Sequence, residues 1–199
     1  MKKILIAAVT LLCLTGTAVA QRHIEYRWHG FYGVVDLSYG FNLNRAPGLN
    51  GATDTANVFA MGFSSGYQFS KETGVGLGFT YISDPQGAYT QLPVYVELRS
   101  HFMHTRICPY TALQVGYSLP LGASSENPIR TITEGGLYFG LDVGGRYSIN
   151  RNFAVAGHVG YKILQSNKFK RYEVGSATLP YLEDPLVLHM LFIGFGLYF

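Results

Sequence analysis

Six charged side chains, Asp36, Glu97, Arg99, Asp142, Arg146 and Lys162, form the first set in this chain that could do chemistry together. Three acids matched by three bases can pair into a buried ionic core, or line a narrow path that hands on ions or protons. His101 and His158 could join either arrangement, and Gln68 and Gln114 could hydrogen-bond both signs of charge. Four other segments carry recognisable spacing. Gly62-Phe63-Ser64-Ser65-Gly66 matches G-x-S-x-G, where a sharp strand-to-helix turn exposes a nucleophilic serine. Gly74-Val75-Gly76-Leu77-Gly78 has the glycine density of a phosphate-cradling loop. His101 and His104, three apart, could give a metal two of its ligands. Lys168-Phe169-Lys170-Arg171-Tyr172 interleaves three cations with two aromatics, a composition suited to phosphates and sugars.

The surrounding elements decide among these. From residue 31 onward the chain repeatedly alternates apolar and small or polar residues with a period of two, the mark of strands. Eight such stretches are predicted, at 31–43, 57–69, 74–84, 92–102, 109–119, 134–147, 152–164 and 185–199. Each is long enough for the roughly nine to eleven tilted residues that cross a bilayer. The G-x-S-x-G match falls inside the second stretch with no helix behind it, so its serine lacks the elbow that exposes a nucleophile. The glycine run fails for the same reason, having no helix N-terminus to hold an anion. Nothing beside the two histidines completes a metal site. No catalytic residue, metal or cofactor is expected.

Sorting each strand by parity separates two faces. Phe59, Met61, Phe63, Tyr67 and Phe69 oppose Ala60, Gly62, Ser64, Gly66 and Gln68, and Val75, Leu77, Phe79 and Tyr81 oppose Gly74, Gly76, Gly78 and Thr80. In the sixth strand Leu137, Phe139, Leu141, Val143 and Tyr147 oppose Gly136, Gly140, Asp142, Gly144 and Arg146. All six charges of the first set lie on the small-residue face. A slip of one residue would turn them into lipid, where a basic residue costs about 2–4 kcal/mol at the midplane. Six such errors approach the whole stability of a domain, about 5–15 kcal/mol. The expected site is therefore a lumen salt-bridge network inside an all-β, eight-stranded antiparallel up-and-down transmembrane β-barrel, in which glycines leave room for long arms.

Composition points the same way. Charged residues make up only 14% of the 199, with 24 Gly, 15 Tyr and 13 Phe. That is too little charge for a water-covered surface and too many aromatics for a disordered chain. Residues 1–20 read as a cleaved signal peptide: Lys2 and Lys3, an apolar Ile4 to Leu14, then Ala18-Val19-Ala20. Cys13 lacks the small residues that a lipoprotein signal needs before its cysteine. Residues 21–30 are expected as a short periplasmic segment and 31–199 as the barrel domain. Cleavage removes Lys2 and Lys3 from the 15 basic residues and none of the 12 acidic ones, leaving thirteen against twelve. No basic face for nucleic acid is implied. Cys108 alone remains, so no intrachain disulfide is expected.

Connection lengths alternate. Those at 70–73, 103–108 and 148–151 are short, and those at 44–56, 85–91, 120–133 and 165–184 are long, as in barrels with tight periplasmic turns and longer outside loops. Outward aromatics gather near strand ends, Tyr67, Phe69, Phe102, Tyr147, Phe153 and Phe199 at the turn end, and Tyr39, Phe41, Phe59, Phe79, Tyr81, Tyr117 and Tyr161 at the loop end, giving two headgroup girdles. The eighth strand fits less well, because Leu188, Met190 and Phe192 fall inward. Either part of the lumen is apolar or this strand carries a bulge.

The chain ends Phe195-Gly196-Leu197-Tyr198-Phe199, a strand finishing on an aromatic residue. With the eight strands and the leader, it resembles the small OmpA/OmpX-like outer-membrane β-barrel family, and more closely its bare-barrel members without a peptidoglycan-binding domain. The resemblance implies residence in the outer membrane of a Gram-negative-type bacterium, both termini periplasmic. It also implies contact with outer-membrane lipid and lipopolysaccharide, and an assembly signal at Phe199 read by the barrel-assembly machinery. The expected function is structural or surface-interacting and non-enzymatic, with Lys168, Lys170 and Arg171 as a possible surface-binding loop whose ligand the sequence does not name. The alternatives are a lipid A-modifying enzyme, for which no rim cluster of Ser, His and acid is visible, and a narrow transport conduit.

Overall fold

The computed structural model describes residues 29–43, 57–83, 90–103, 105–121, 125–126, 129–133, 135–150, 152–166, 169–173 and 186–199. Eight strands close into an antiparallel barrel: β1 (Gly30–Asn42), β2 (Val58–Gln68), β3 (Thr73–Ser83), β4 (Thr90–His101), β5 (Ile107–Pro120), β8 (Gly136–Ser148), β9 (Ala154–Ser166) and β11 (Leu186–Tyr198). Three short strands, β6 (Ser125–Glu126), β7 (Ile129–Thr133) and β10 (Phe169–Glu173), form a separate sheet in the order β10-β7-β6. Each barrel strand pairs with its neighbours in sequence among the eight, and β1 pairs with β11 to shut the seam. The strands predicted from alternation end within two residues of those observed.

Strand stagger follows from the pairing. Passing from Tyr32 to Gly66, Gly76, Glu97, Gln114, Gly140, Lys162 and Met190, always to the residue directly opposite, leads back to β1 at Asn42, ten residues further along. A stagger of this size in eight strands goes with a tilt of about 35–45° and a bore just wide enough for side chains to fill. One ladder is interrupted. The β3–β4 pairing jumps from Phe79↔Val94 to Ile82↔Gln91, because Pro93 has no N–H to give.

Short connections are stitched by side chains at the turn end. The Ser70 hydroxyl accepts from the Glu72 and Thr73 N–H groups at 3.2 and 2.9 Å. Asn150 Oδ1 accepts from the Asn152 and Phe153 N–H groups at 2.9 and 2.7 Å. Both are local mimics of a backbone turn, which lets the chain reverse in few residues.

Apolar and polar surfaces are inverted relative to a water-soluble protein. Leu77 and Leu137 are 67% and 64% exposed, whereas Glu97 is 0% exposed. Every aromatic assigned to the two girdles lies on the exterior. An apolar belt running round the whole wall far exceeds the few hundred Å2 a soluble monomer exposes, and it is the surface that hydrocarbon requires.

Candidate functional site

The lumen is filled in three tiers, each traceable to residues of one parity on the strands. The middle tier is ionic. Glu97 and Arg99 sit two apart on β4 and so share its inner face. Arg99 donates through Nε and Nη2 to Glu97 Oε1, both at 2.8 Å. Gln114, directly opposite Glu97 on β5, bridges outward: its Nε2 donates to Glu97 Oε2 at 3.2 Å and to Asp142 Oδ2 at 3.0 Å. Its Oε1 accepts from the Tyr138 hydroxyl at 2.7 Å. Across the lumen Asp36 lies 3.5 Å from His158 Nδ1.

Below it, toward the short turns, tyrosines surround the guanidinium. Arg99 stands over the rings of Tyr198, Tyr110 and Tyr32 at 5.0, 5.1 and 5.9 Å, and its Nη1 donates to the Tyr198 hydroxyl. Arg146 lies 5.8 Å from the Tyr198 ring centroid. A delocalised, weakly hydrated cation suits such aromatic walls better than an ammonium would.

Above the ionic tier, toward the long connections, the lumen is apolar. Val58, Ala60, Ile82, Tyr95, Tyr138, Leu164, Leu188, Met190 and Phe192 form one buried cluster. The inward apolar residues of β11 are thus part of a plug. No bulge accounts for them, since β11 keeps an unbroken register against β9 from Leu186↔Ser166 to Tyr198↔Ala154. Phe192 fits because Gly40 faces it; a Cβ there would come within 2.6 Å of the ring. Lys162 completes the join between tiers, its ammonium 4.5 Å from the Phe192 ring centroid.

All six charged residues singled out in the sequence line the lumen, but only Glu97 and Arg99 pair directly with each other. Asp36 pairs with His158, Asp142 is reached by Gln114, Arg146 stands by Tyr198 and Lys162 by Phe192. Gln68 leaves the network and donates to the Lys71 carbonyl in the turn. His101 is buried lower down, 6.1 Å from the Tyr110 ring. Among the described residues no group of three or more His, Cys, Asp or Glu is placed to hold a metal; His104 lies outside them. Sequence reading overlooked the inward tyrosines Tyr32, Tyr95, Tyr110, Tyr138 and Tyr198. Their parity on the strands was the available signal.

The cavity left in the ionic tier is about 20 Å3, bounded by Glu97, Arg99, Gln114, Asp142, His158 and Lys162. That is room for roughly one water. A wider recess of about 310 Å3 opens at the turn end beside Tyr32, Gln68, Arg146, Ser148 and Phe199. Phe199 itself is exposed at the seam, where its backbone and that of Gly33 exchange N–H···O bonds of 2.9 and 3.0 Å.

At the opposite end, stretches expected to be loops hold the second sheet. β7 and β10 pair from Thr133↔Phe169 to Ile129↔Glu173. Lys170 and Arg171 are strand residues there, and Lys168 lies outside the described residues.

Two solved structures carry this architecture. Neisserial surface protein A superposes with a TM-score of 0.59 at 14% identity, over 85% of this chain and 96% of its own. The outer membrane protein OprG from Pseudomonas aeruginosa superposes with a TM-score of 0.60 at 16% identity, over 88% and 99%. The fold is that of the small outer-membrane β-barrels. No protein-family model and no curated protein sequence matches the chain. At these identities the likeness carries the OmpA/OmpX-like architecture and leaves the activity to be argued from the residues.

Proposed function

We propose that the protein is an integral outer-membrane barrel, sealed along its axis, with a structural or surface-interaction role carried by its outer connections. The observation that supports this best is the three-tiered lumen: an apolar plug, an ionic layer with space for about one water, and a tyrosine-lined arginine. Such an interior stabilises a wall and leaves no bore. Contacts with partners then fall to the exterior, which meets lipid and lipopolysaccharide, and to the long connections. In this reading the leader directs export, Phe199 at the seam is read by the barrel-assembly machinery, and both termini stay periplasmic. The ionic residues Asp36, Glu97, Arg99, Asp142, Arg146 and Lys162 act as a stabilising core with no catalytic duty.

Epitope insertion tests location and orientation together. A tag placed between residues 174 and 184 is expected to bind antibody on intact cells, and one placed at Lys71 only after the outer membrane is permeabilised. Labelling of the Lys71 tag on intact cells would reverse the topology. A new lipid A species appearing on expression would contradict the non-enzymatic reading.

A further inference from the structure

Arg99, Arg146 and Arg106 each stand over a tyrosine ring, the first two inside the lumen and the third outside it. Arg99 and Arg146 are buried and meet Tyr198 within the barrel. Arg106 stands 4.8 Å from the ring centroid of Tyr147, an exposed residue of the turn-end girdle. By parity Arg106 belongs with Cys108 and Tyr110, whose side chains are buried inside. It lies just before β5, at the rim, where its carbonyl accepts from the Ser148 N–H at 2.9 Å. From there a long side chain can fold over the edge, and its place on Tyr147 carries the charge to the membrane-facing side.

The guanidinium is held from two directions. Its Nε donates to the Ser148 carbonyl at 3.4 Å, and the Tyr147 ring covers one of its faces. Among the described residues no carboxylate lies within ion-pair distance of Arg106. Its terminal nitrogens carry the planar fork of N–H groups that matches two oxygens of a phosphate. The surroundings set this fork at headgroup depth. Ile107, directly opposite Tyr147, is exposed on the exterior, as are Ile149 and Phe153 on either side of the following turn. Apolar side chains of this kind suit the upper part of acyl chains, and the aromatic girdle marks the headgroup level. The short connections at 70–73, 103–108 and 148–151 carry Lys71, Arg106 and Arg151 against one acid, Glu72, a balance that favours net negative headgroups.

We propose that Arg106, seated on Tyr147, holds the phosphate of an anionic glycerophospholipid in the leaflet adjoining the short turns. This rests on the outer-membrane reading above, in which that leaflet faces the periplasm. The fork takes the phosphate oxygens while the acyl chains run down the apolar wall from Ile107. Ring, carbonyl and phosphate then hold the cation at one level and fix the depth of the turn end.

The test uses the full chain folded in detergent micelles doped with equal amounts of phosphatidylglycerol and phosphatidylcholine bearing the same acyl chains. Native mass spectrometry counts the lipids that stay bound. The wild-type chain is expected to retain phosphatidylglycerol in preference. Arg106→Gln is expected to lower that preference by about threefold or more, and Lys71→Gln, the same charge change at the same end, by about 1.5-fold or less. Arg106→Lys keeps the charge without the fork and is expected to restore less than half of the loss. Equal effects of Arg106→Gln and Lys71→Gln, or full rescue by Arg106→Lys, would overturn the seated-fork assignment. Arg106-dependent retention of lipid A ahead of phosphatidylglycerol would overturn the phospholipid source. Absence of any preference in the wild-type chain, with the Lys71 tag still hidden on intact cells, would reject this site while leaving the membrane orientation standing.

Discussion

Replacing Arg99 by methionine is expected to destabilise the barrel by about 3–5 kcal/mol, because it strands a buried carboxylate. Glu97 is 0% exposed and takes two of its hydrogen bonds from the Arg99 guanidinium. Without it, Gln114 at 3.2 Å and the Tyr32 hydroxyl at 3.5 Å are the remaining donors, both neutral. The tyrosines lose their cation in the same step. Pairing the change with Glu97→Gln removes the orphaned charge, so the double variant is expected to regain most of the loss, the mark of coupled neighbours. Denaturant unfolding in lipid vesicles, followed by circular dichroism and gel mobility, reads both. An unchanged midpoint for Arg99→Met would show that the pair contributes nothing to holding the lumen.

A second large effect belongs to the plug. Phe192→Ala is expected to cost about 3–5 kcal/mol, the usual range for truncating a fully buried phenylalanine. Its ring is 0% exposed, fills the space that Gly40 leaves, and seats the Lys162 ammonium at 4.5 Å. Truncation opens a void and strips the lysine of that partner at once. The adjacent Ile193 is 54% exposed on the exterior, and Ile193→Ala is expected to cost about 1 kcal/mol or less. The same unfolding assay compares the two. Equal losses at 192 and 193 would mean that the lumen is not tightly filled at the loop end.

That contrast between neighbouring residues shows why the architecture was legible before any coordinates. Alternation gives each residue a side, and hydrocarbon punishes a charged residue on the wrong one, so strand identity and the face each residue takes follow from local pattern. Strand ends came within two residues because glycines, prolines and polar turns punctuate them. The inward Leu188, Met190 and Phe192 fitted poorly only while the lumen was imagined as uniformly polar. Parity had placed them correctly, and a tiered interior gives them company.

Partner choice was not legible. Asp36 meets His158, and Gln114 joins Glu97 to Asp142, because the strands are staggered by ten residues around the barrel. Stagger is a property of the closed sheet and leaves no mark on any single strand. The outer sheet illustrates the same limit. β7 and β10 lie in stretches that read as loops, and their pairing from Thr133↔Phe169 to Ile129↔Glu173 is a property of the folded chain that neither segment displays alone.

The central claim, a sealed barrel whose lumen serves stability, is tested most directly by single-channel recording in planar lipid bilayers. The purified, folded wild-type chain is expected to insert without conductance steps above baseline at either polarity, since the plug and the ionic tier close the axis in series. Stable ohmic steps from the wild-type protein would contradict the account and make the lumen charges the lining of a path.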